Sequence, residues 1–330
     1  MKRISVSVLI LCACFVPVAW GTCKVHTPWG EFHRQNMERW NPCEKVLGVT
    51  NVGNLILKWS YTIGGPVTSS RAVANGVVYV GSIDDNVYAL NAKTGALLWS
   101  YTTGGSVYWS SPAVANGMVY VGSHDSNVYA LDASTGAKLW SYPTGNVVES
   151  SPAVANGVVY VGSGDGNVYA LNASTGALLW SAPFGGHSSP AVANGVVYVG
   201  AGNDVYALSA STGALLWSYT TGGEVRFSAA VAIGVVYVGS FENNLYALKA
   251  STGAKLWSYA IGDGGGVASP AVANGVVYVG SNVQVVYALN ASTGAKLWSD
   301  NGGDWSSPAV ANGVVYVGSA GGNVYAFGLK

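Results

Sequence analysis

SSPAVANGVVYVGSGDGNVYALNASTGALLWSA, residues 150–182, is the stretch whose reading decides the fold, because near-copies of it fill the chain to its end. The Trp of its LWS signature falls at Trp59, Trp99, Trp140, Trp180, Trp217, Trp257 and Trp298, at intervals of 40, 41, 40, 37, 40 and 41 residues. The Tyr of YVG keeps the same count, from Tyr79 through Tyr120, Tyr160, Tyr198, Tyr237 and Tyr278 to Tyr316. A fixed period near 40 residues is the mark of a repeat architecture.

Each copy holds four short runs: SPAVA, VVYVG, NVYAL and LLWSY or KLWSY. Their length, their alternation and their wealth of Val, Tyr, Leu and Trp predict strands. Asn-Gly at 75–76, 116–117, 156–157, 194–195 and 312–313, with Asn274-Gly275 and once Ile233-Gly234, predicts a tight hairpin between the first two runs, since both turn positions need positive φ. Ser-Thr-Gly, or Lys-Thr-Gly at 93–95, turns the third run into the fourth. Seven copies of four strands predict an all-β seven-bladed propeller. The chain enters with a lone fourth run, Leu55–Tyr61, and leaves after a third, Asn323–Phe327. The N-terminal run is therefore expected to complete the last blade and close the ring, which a linear solenoid with unpaired edges would not do.

The run YALNASTGALLWS and its copies resemble the tryptophan-docking repeat of the quinoprotein (PQQ-like) propellers, which reads roughly Ala-x-Asp-x-x-Thr-Gly-x-x-x-Trp. Asp132 matches the acidic position, and Asn91, Asn172 and Asn290 stand close to it. The architecture is WD40-like, but the Gly-His and Trp-Asp signatures of WD40 blades are missing. The resemblance covers about residues 45–330. It implies fold more than function, since the family holds both dehydrogenases and non-catalytic scaffolds. The dehydrogenases of the family are larger and eight-bladed, with an adjacent-cysteine disulfide, a Ca²⁺ site of Glu, Asn and Asp, and an Asp base. This chain has no Cys-Cys pair and no match to the calcium site, so no catalytic residue carries over and no metal ligand is assigned. The expectation is a protein without enzyme activity or cofactor; pyrroloquinoline quinone with Ca²⁺ is the alternative, in a cofactor-binding protein or reduced dehydrogenase.

Half of the 330 residues are hydrophobic, 9% are charged and the formal net charge is 0. That is no basic footprint, so nucleic acid is not an expected partner. Residues 1–21, with Lys2-Arg3, an apolar run from Ile4 to Ala19 and small residues at Ala19 and Gly21, read as a signal peptide, which predicts a secreted or periplasmic (cell-envelope) protein. The run is too short for a transmembrane helix. Leu11-Cys12-Ala13-Cys14 only loosely resembles a lipobox. Residues 22–54 form a non-repeat extension with Trp29, Phe32 and Trp40. After cleavage two thiols remain, Cys23 and Cys43, and in an exported chain they are expected to form one disulfide. His26 and His33 lie nearby, but the spacing fits no zinc pattern.

The Asn-Gly and Thr-Gly turns must share one face of the disc, and that face repeats nearly unchanged. The opposite face, built from the between-blade segments and the loops joining second to third strands, varies from copy to copy. It carries Thr68, Tyr108, Trp109, Glu149, His187, Glu224, Arg226, Phe227, Asp263, Asp304 and Trp305, with Asp84, Asp85, His124, Asp125, Asp165, Glu242 and Gln284 on the loops. Tyr108, Trp109, His124, Glu149, His187, Arg226, Phe227 and Trp305 are the ligand-face candidates, although loops also vary without function. The seven repeat Trp residues are expected to be structural, buried between blades. Lys138, Lys255 and Lys296 are expected in solvent on the outer strands, where they discourage edge pairing. The expected function is a monomeric scaffold that binds protein, peptide or glycan on the varying face.

Overall fold

The computed structural model describes residues 57–330, apart from 263–265, 282, 302–306, 312–313, 319–323 and 329–330. The expected signal peptide, the Cys23–Cys43 disulfide and Trp305 lie outside the described residues. Among the described residues there are no helices, and 27 strands form seven antiparallel sheets in which sequence neighbours pair. The fold is a seven-bladed β-propeller. The third blade shows the plan: Ala153–Ala155, Val158–Gly162, Val168–Asn172 and Leu178–Ala182, from the channel outward. The innermost strands of successive blades, all reading Ala-Val-Ala, stand side by side around the channel.

The hairpin prediction holds in its stereochemistry. Asn75, Asn116, Asn156, Asn194 and Asn274 have φ between 47° and 52°, and the glycines that follow lie at 76–77°. Ile233 is forced to φ 49° at the same place, and it is 94% exposed. The outer strand departs from simple alternation. Ala170 faces Trp180 but Leu171 faces Leu178, so a bulge intervenes, and the same irregularity recurs in each of the first six blades. The extra residue returns the Trp to the interior while both preceding positions face outward. Leu178 and Leu179 are accordingly exposed, as are Lys138, Lys255 and Lys296 at the equivalent position.

Blades lock together through one socket. The Trp140 indole N–H and the Tyr120 hydroxyl both donate to the Ala173 carbonyl of the next blade, at 2.9 and 3.1 Å. The same double bond is made to the carbonyls of Ala133, Ala210, Ala250 and Ala291. Both lone pairs of a buried carbonyl are thus satisfied. The indole also lies on the turn glycine: a Cβ added to Gly176, at φ +72°, would meet the Trp140 ring at 2.7 Å. Glycine is required there on both counts. Trp99, Trp140, Trp180 and Trp217 are buried between blades, while Trp59, Trp257 and Trp298 are partly buried.

The last sheet has three strands among the described residues, Ala309–Ala311, Val314–Gly318 and Val324–Gly328. Of the expected fourth strand, Leu55–Tyr61, residues 57–61 are described, and they are not in a strand. Trp59 nevertheless docks like the others. Its indole donates to the Ala92 carbonyl at 3.0 Å, and its ring fills the space over Gly95. It meets the first blade as the outer-strand Trp of a preceding blade does, which is the place a closing strand must hold.

Candidate functional site at the channel mouth

The serine two residues before each innermost strand lines the channel. The Ser70 N–H donates to the Ser111 hydroxyl at 2.9 Å, Ser111 to Ser151 at 3.0 Å, Ser151 to Ser189 at 3.0 Å and Ser228 to Ser269 at 3.1 Å. Between the fourth and fifth blades the Ser188 hydroxyl donates to the Phe227 carbonyl at 3.3 Å. This belt satisfies inner-strand donors that have no further strand to pair with. It forms the wall of a cavity of about 680 Å³.

The residue two positions before the lining serine sits at the cavity rim in the first five blades. Thr68, Trp109, Glu149, His187 and Arg226 succeed one another there, and all line the cavity together with Phe227 and Phe241. Buried valines fix the height of these segments. A Cβ at Gly81, Gly122, Gly200 or Gly239 would collide with Val107, Val148, Val225 or Val267, so each valine fills the hollow its glycine leaves. From valine to lining serine the second blade spends one residue more than the third, and the sixth one fewer. The extra residue produces a turn in which the Ser110 N–H donates to the Tyr108 carbonyl at 2.8 Å around Trp109, whose φ is +59°. This is a γ-turn of the rare, strained kind. It leaves Trp109 half exposed and stacked on Tyr108, with ring centroids 4.4 Å apart.

Tyr108 in turn meets His124 edge-on at 5.3 Å. His124 Nε2 lies 3.0 Å from Glu149 Oε1, and His187 Nδ1 lies 2.6 Å from Glu149 Oε2. The Glu149 side chain is only 11% exposed, so one carboxylate is clasped by two imidazoles from neighbouring loops. Across the mouth, Arg226 Nε pairs with Glu224 at 2.8 Å, and its guanidinium lies 5.5 Å from the Phe241 ring centroid. Phe227 stacks on Phe241 with planes 3° apart. The Glu224 hydrogen bond first, and then the charges of Glu224 and Glu149, raise the Arg226 pKa further. Among the described residues no group of three or more His, Cys, Asp or Glu is arranged to hold a metal ion.

A family model described as outer membrane protein assembly factor BamB matches three overlapping stretches, residues 50–151, 127–232 and 202–330. The chain belongs to the PQQ-repeat family of BamB. BamB from Moraxella catarrhalis superposes with a TM-score of 0.71 at 23% identity, over 82% of this chain and 88% of that one. A europium-containing methanol dehydrogenase superposes at 0.73 with 16% identity, over 91% and 86%. At such identities the likeness is one of fold. Quinoprotein alcohol dehydrogenase PedE of Pseudomonas putida is 41% identical over 70 residues, 20% of this chain and 11% of that enzyme. A quinoprotein ethanol dehydrogenase of Pseudomonas aeruginosa is 38% identical over 68 residues, 19% of this chain and again 11% of the enzyme. The chain therefore matches about a tenth of the length of these dehydrogenases.

Within this BamB-family propeller the ligand-face candidates divide. Trp109, Glu149, His187, Arg226 and Phe227 converge on one cavity, and Tyr108 and His124 buttress it from behind. The acidic loop residues grouped with them do different work. Asp165 accepts hydrogen bonds from the Tyr169 hydroxyl at 2.6 Å and the Gly145 N–H at 2.7 Å, and Asp125 holds Tyr129 and Gly104 in the same way. Burial pushes the Asp125 pKa up, but bonds from Tyr129, Asn127 and Gly104 outweigh it and hold the group below the ordinary range. These acids pin each loop to the between-blade segment beside it. Phe241 and the serine belt are cavity residues that the sequence reading passed over. Phe241 stands at the loop position that Ile83, His124 and Gly164 hold in other blades, and an aromatic residue at a position that differs between copies is a usable signal.

Proposed function

We propose that this protein is an exported, non-catalytic scaffold of the cell envelope that takes a segment of a partner protein at its channel mouth. The observation that supports it is the convergence of the positions that differ among nearly identical repeats upon a single cavity. Half-exposed aromatic side chains beside charged groups are what protein-binding surfaces use as anchors. Membership of the BamB family, named for outer-membrane protein assembly, supports both a protein partner and an envelope location.

A bound quinone cofactor is the second reading, favoured by the 70-residue match to PedE. The mouth suits it poorly. A quinone bearing several carboxylates would meet Glu149, and the guanidinium there is already paired with Glu224. We derive no reaction through such a group.

The test is site-specific photo-crosslinking in envelope fractions, with the photoreactive residue placed at Trp109 or, on the opposite face, at Ile233. A defined adduct from position 109 and none from 233 is expected. Adducts from 233 alone, or stoichiometric binding of pyrroloquinoline quinone with Ca²⁺, would overturn the reading.

A further inference from the structure

We propose that the channel mouth recognises an organic cation, the side chain of a lysine or arginine carried by the partner; this rests on the scaffold reading above. Three observations converge. The first is charge. Glu149 lines the cavity with its carboxylate held between His124 Nε2 at 3.0 Å and His187 Nδ1 at 2.6 Å. Arg226 forms its ion pair with Glu224 at 2.8 Å, and the Glu149 charge is the smaller influence on it. The two described carboxylates of the mouth, Glu149 and Glu224, thus share one guanidinium.

The second is the aromatic surface. Trp109 is 50% exposed at the rim of the same cavity, with Tyr108 stacked against it. Indole is the best of the aromatic faces for a cation. Phe241 on the far side already carries a cation, Arg226, so the protein uses this kind of contact within its own mouth.

The third is strain. Trp109 is the large aromatic residue held at positive φ, in a turn made possible by one additional residue in that between-blade segment. A backbone outlier at a cavity rim points to a role there. A Gly at this position would relax the turn and forfeit the ring.

The experiment is calorimetric titration of the full chain at low ionic strength with three capped glycine-flanked peptides. Their central residue is arginine, its neutral isostere citrulline, or glutamate. Free arginine amide forms a fourth arm. The arginine peptide is expected to bind at least about tenfold more tightly than the citrulline peptide, and the glutamate peptide not at all. Glu149→Gln and Trp109→Leu should each weaken the arginine peptide about tenfold, while Ile233→Asn, on the opposite face, leaves it unchanged. Near-ultraviolet circular dichroism establishes that each variant is folded. Equal affinity for the arginine and citrulline peptides, or an unchanged affinity in folded Glu149→Gln, would overturn the cation assignment. Equal affinity for free arginine amide would overturn its assignment to a partner's side chain. If crosslinks still form at position 109 in either case, the scaffold reading stands and only the chemistry of its ligand is wrong.

Discussion

At the turn end of the blades, the carbonyls of Ala133, Ala173, Ala210, Ala250 and Ala291 each take one bond from a Trp and one from a Tyr of the blade before. At the channel mouth, equivalent positions hold Thr68, Trp109, Glu149, His187 and Arg226 in turn. The first region repeats because, among the described residues, five interfaces pose the same packing problem and share one solution. The second is free to differ because the serine belt and, in the second, third, fifth and sixth blades, the Val-into-Gly contacts have already met the structural demands of the segment. The contrast separates residues that hold the ring together from residues that the ring holds out.

The largest effect should come from breaking a socket. Trp180→Ala is expected to cost about 3–5 kcal/mol in denaturant unfolding, since the indole is buried and bonded to the Ala210 carbonyl. A loss below about 1 kcal/mol would refute the docking role.

The socket tyrosines give the next effect. Burial pushes the pKa of Tyr120 and Tyr237 up to about 12. The folded state therefore keeps protons that the unfolded chain releases near pH 10, and stability present below that pH is lost as pH rises toward 12. Each such tyrosine should contribute on the order of 1–2 kcal/mol to this alkaline loss. Tyr120→Phe should lessen the alkaline slope, and unchanged slopes would show that the hydroxyls do not titrate with unfolding.

Smaller effects sharpen the comparison from the other side. Ile233→Asn should raise stability by about 1 kcal/mol, because a β-branched residue at positive φ is replaced by one that tolerates it. Trp109→Gly should likewise be neutral or gain up to about 1 kcal/mol while abolishing peptide binding at the mouth. A marked destabilisation by Trp109→Gly would move that residue from the second region into the first.

Much of this was legible in the residues. The Trp and Tyr spacings fixed the blade count, and Asn-Gly announced turns whose φ values the structure reproduces. Repeat-to-repeat variation picked out Trp109, Glu149, His187 and Arg226. What the sequence concealed were features that depend on contacts between repeats. The SSP serines read as small and bland, and only the closeness of inner strands makes them a hydrogen-bonded belt. Asp84, Asp125 and Asp165 looked like ligand-face charges, yet each is followed four residues later by a Tyr whose hydroxyl it accepts. That internal spacing was the available sign of a structural role. The bulge in the outer strands and the strained turn at Trp109 each arise from one additional residue, and residue type alone does not reveal where a ladder absorbs it.

The sameness of the sockets also bears on how the chain reaches its native ring. The five described Trp–Tyr plugs use the same residue types on the same Ala carbonyl, so side-chain identity does not tell one blade which neighbour to join. Chain connectivity must supply that choice: closing a loop of about 40 residues to the adjacent repeat costs less entropy than closing one of about 80 or 120 to a more distant repeat. Assembly order is thereby encoded in distance along the chain, and blade-skipping is discouraged by polymer statistics instead of by recognition.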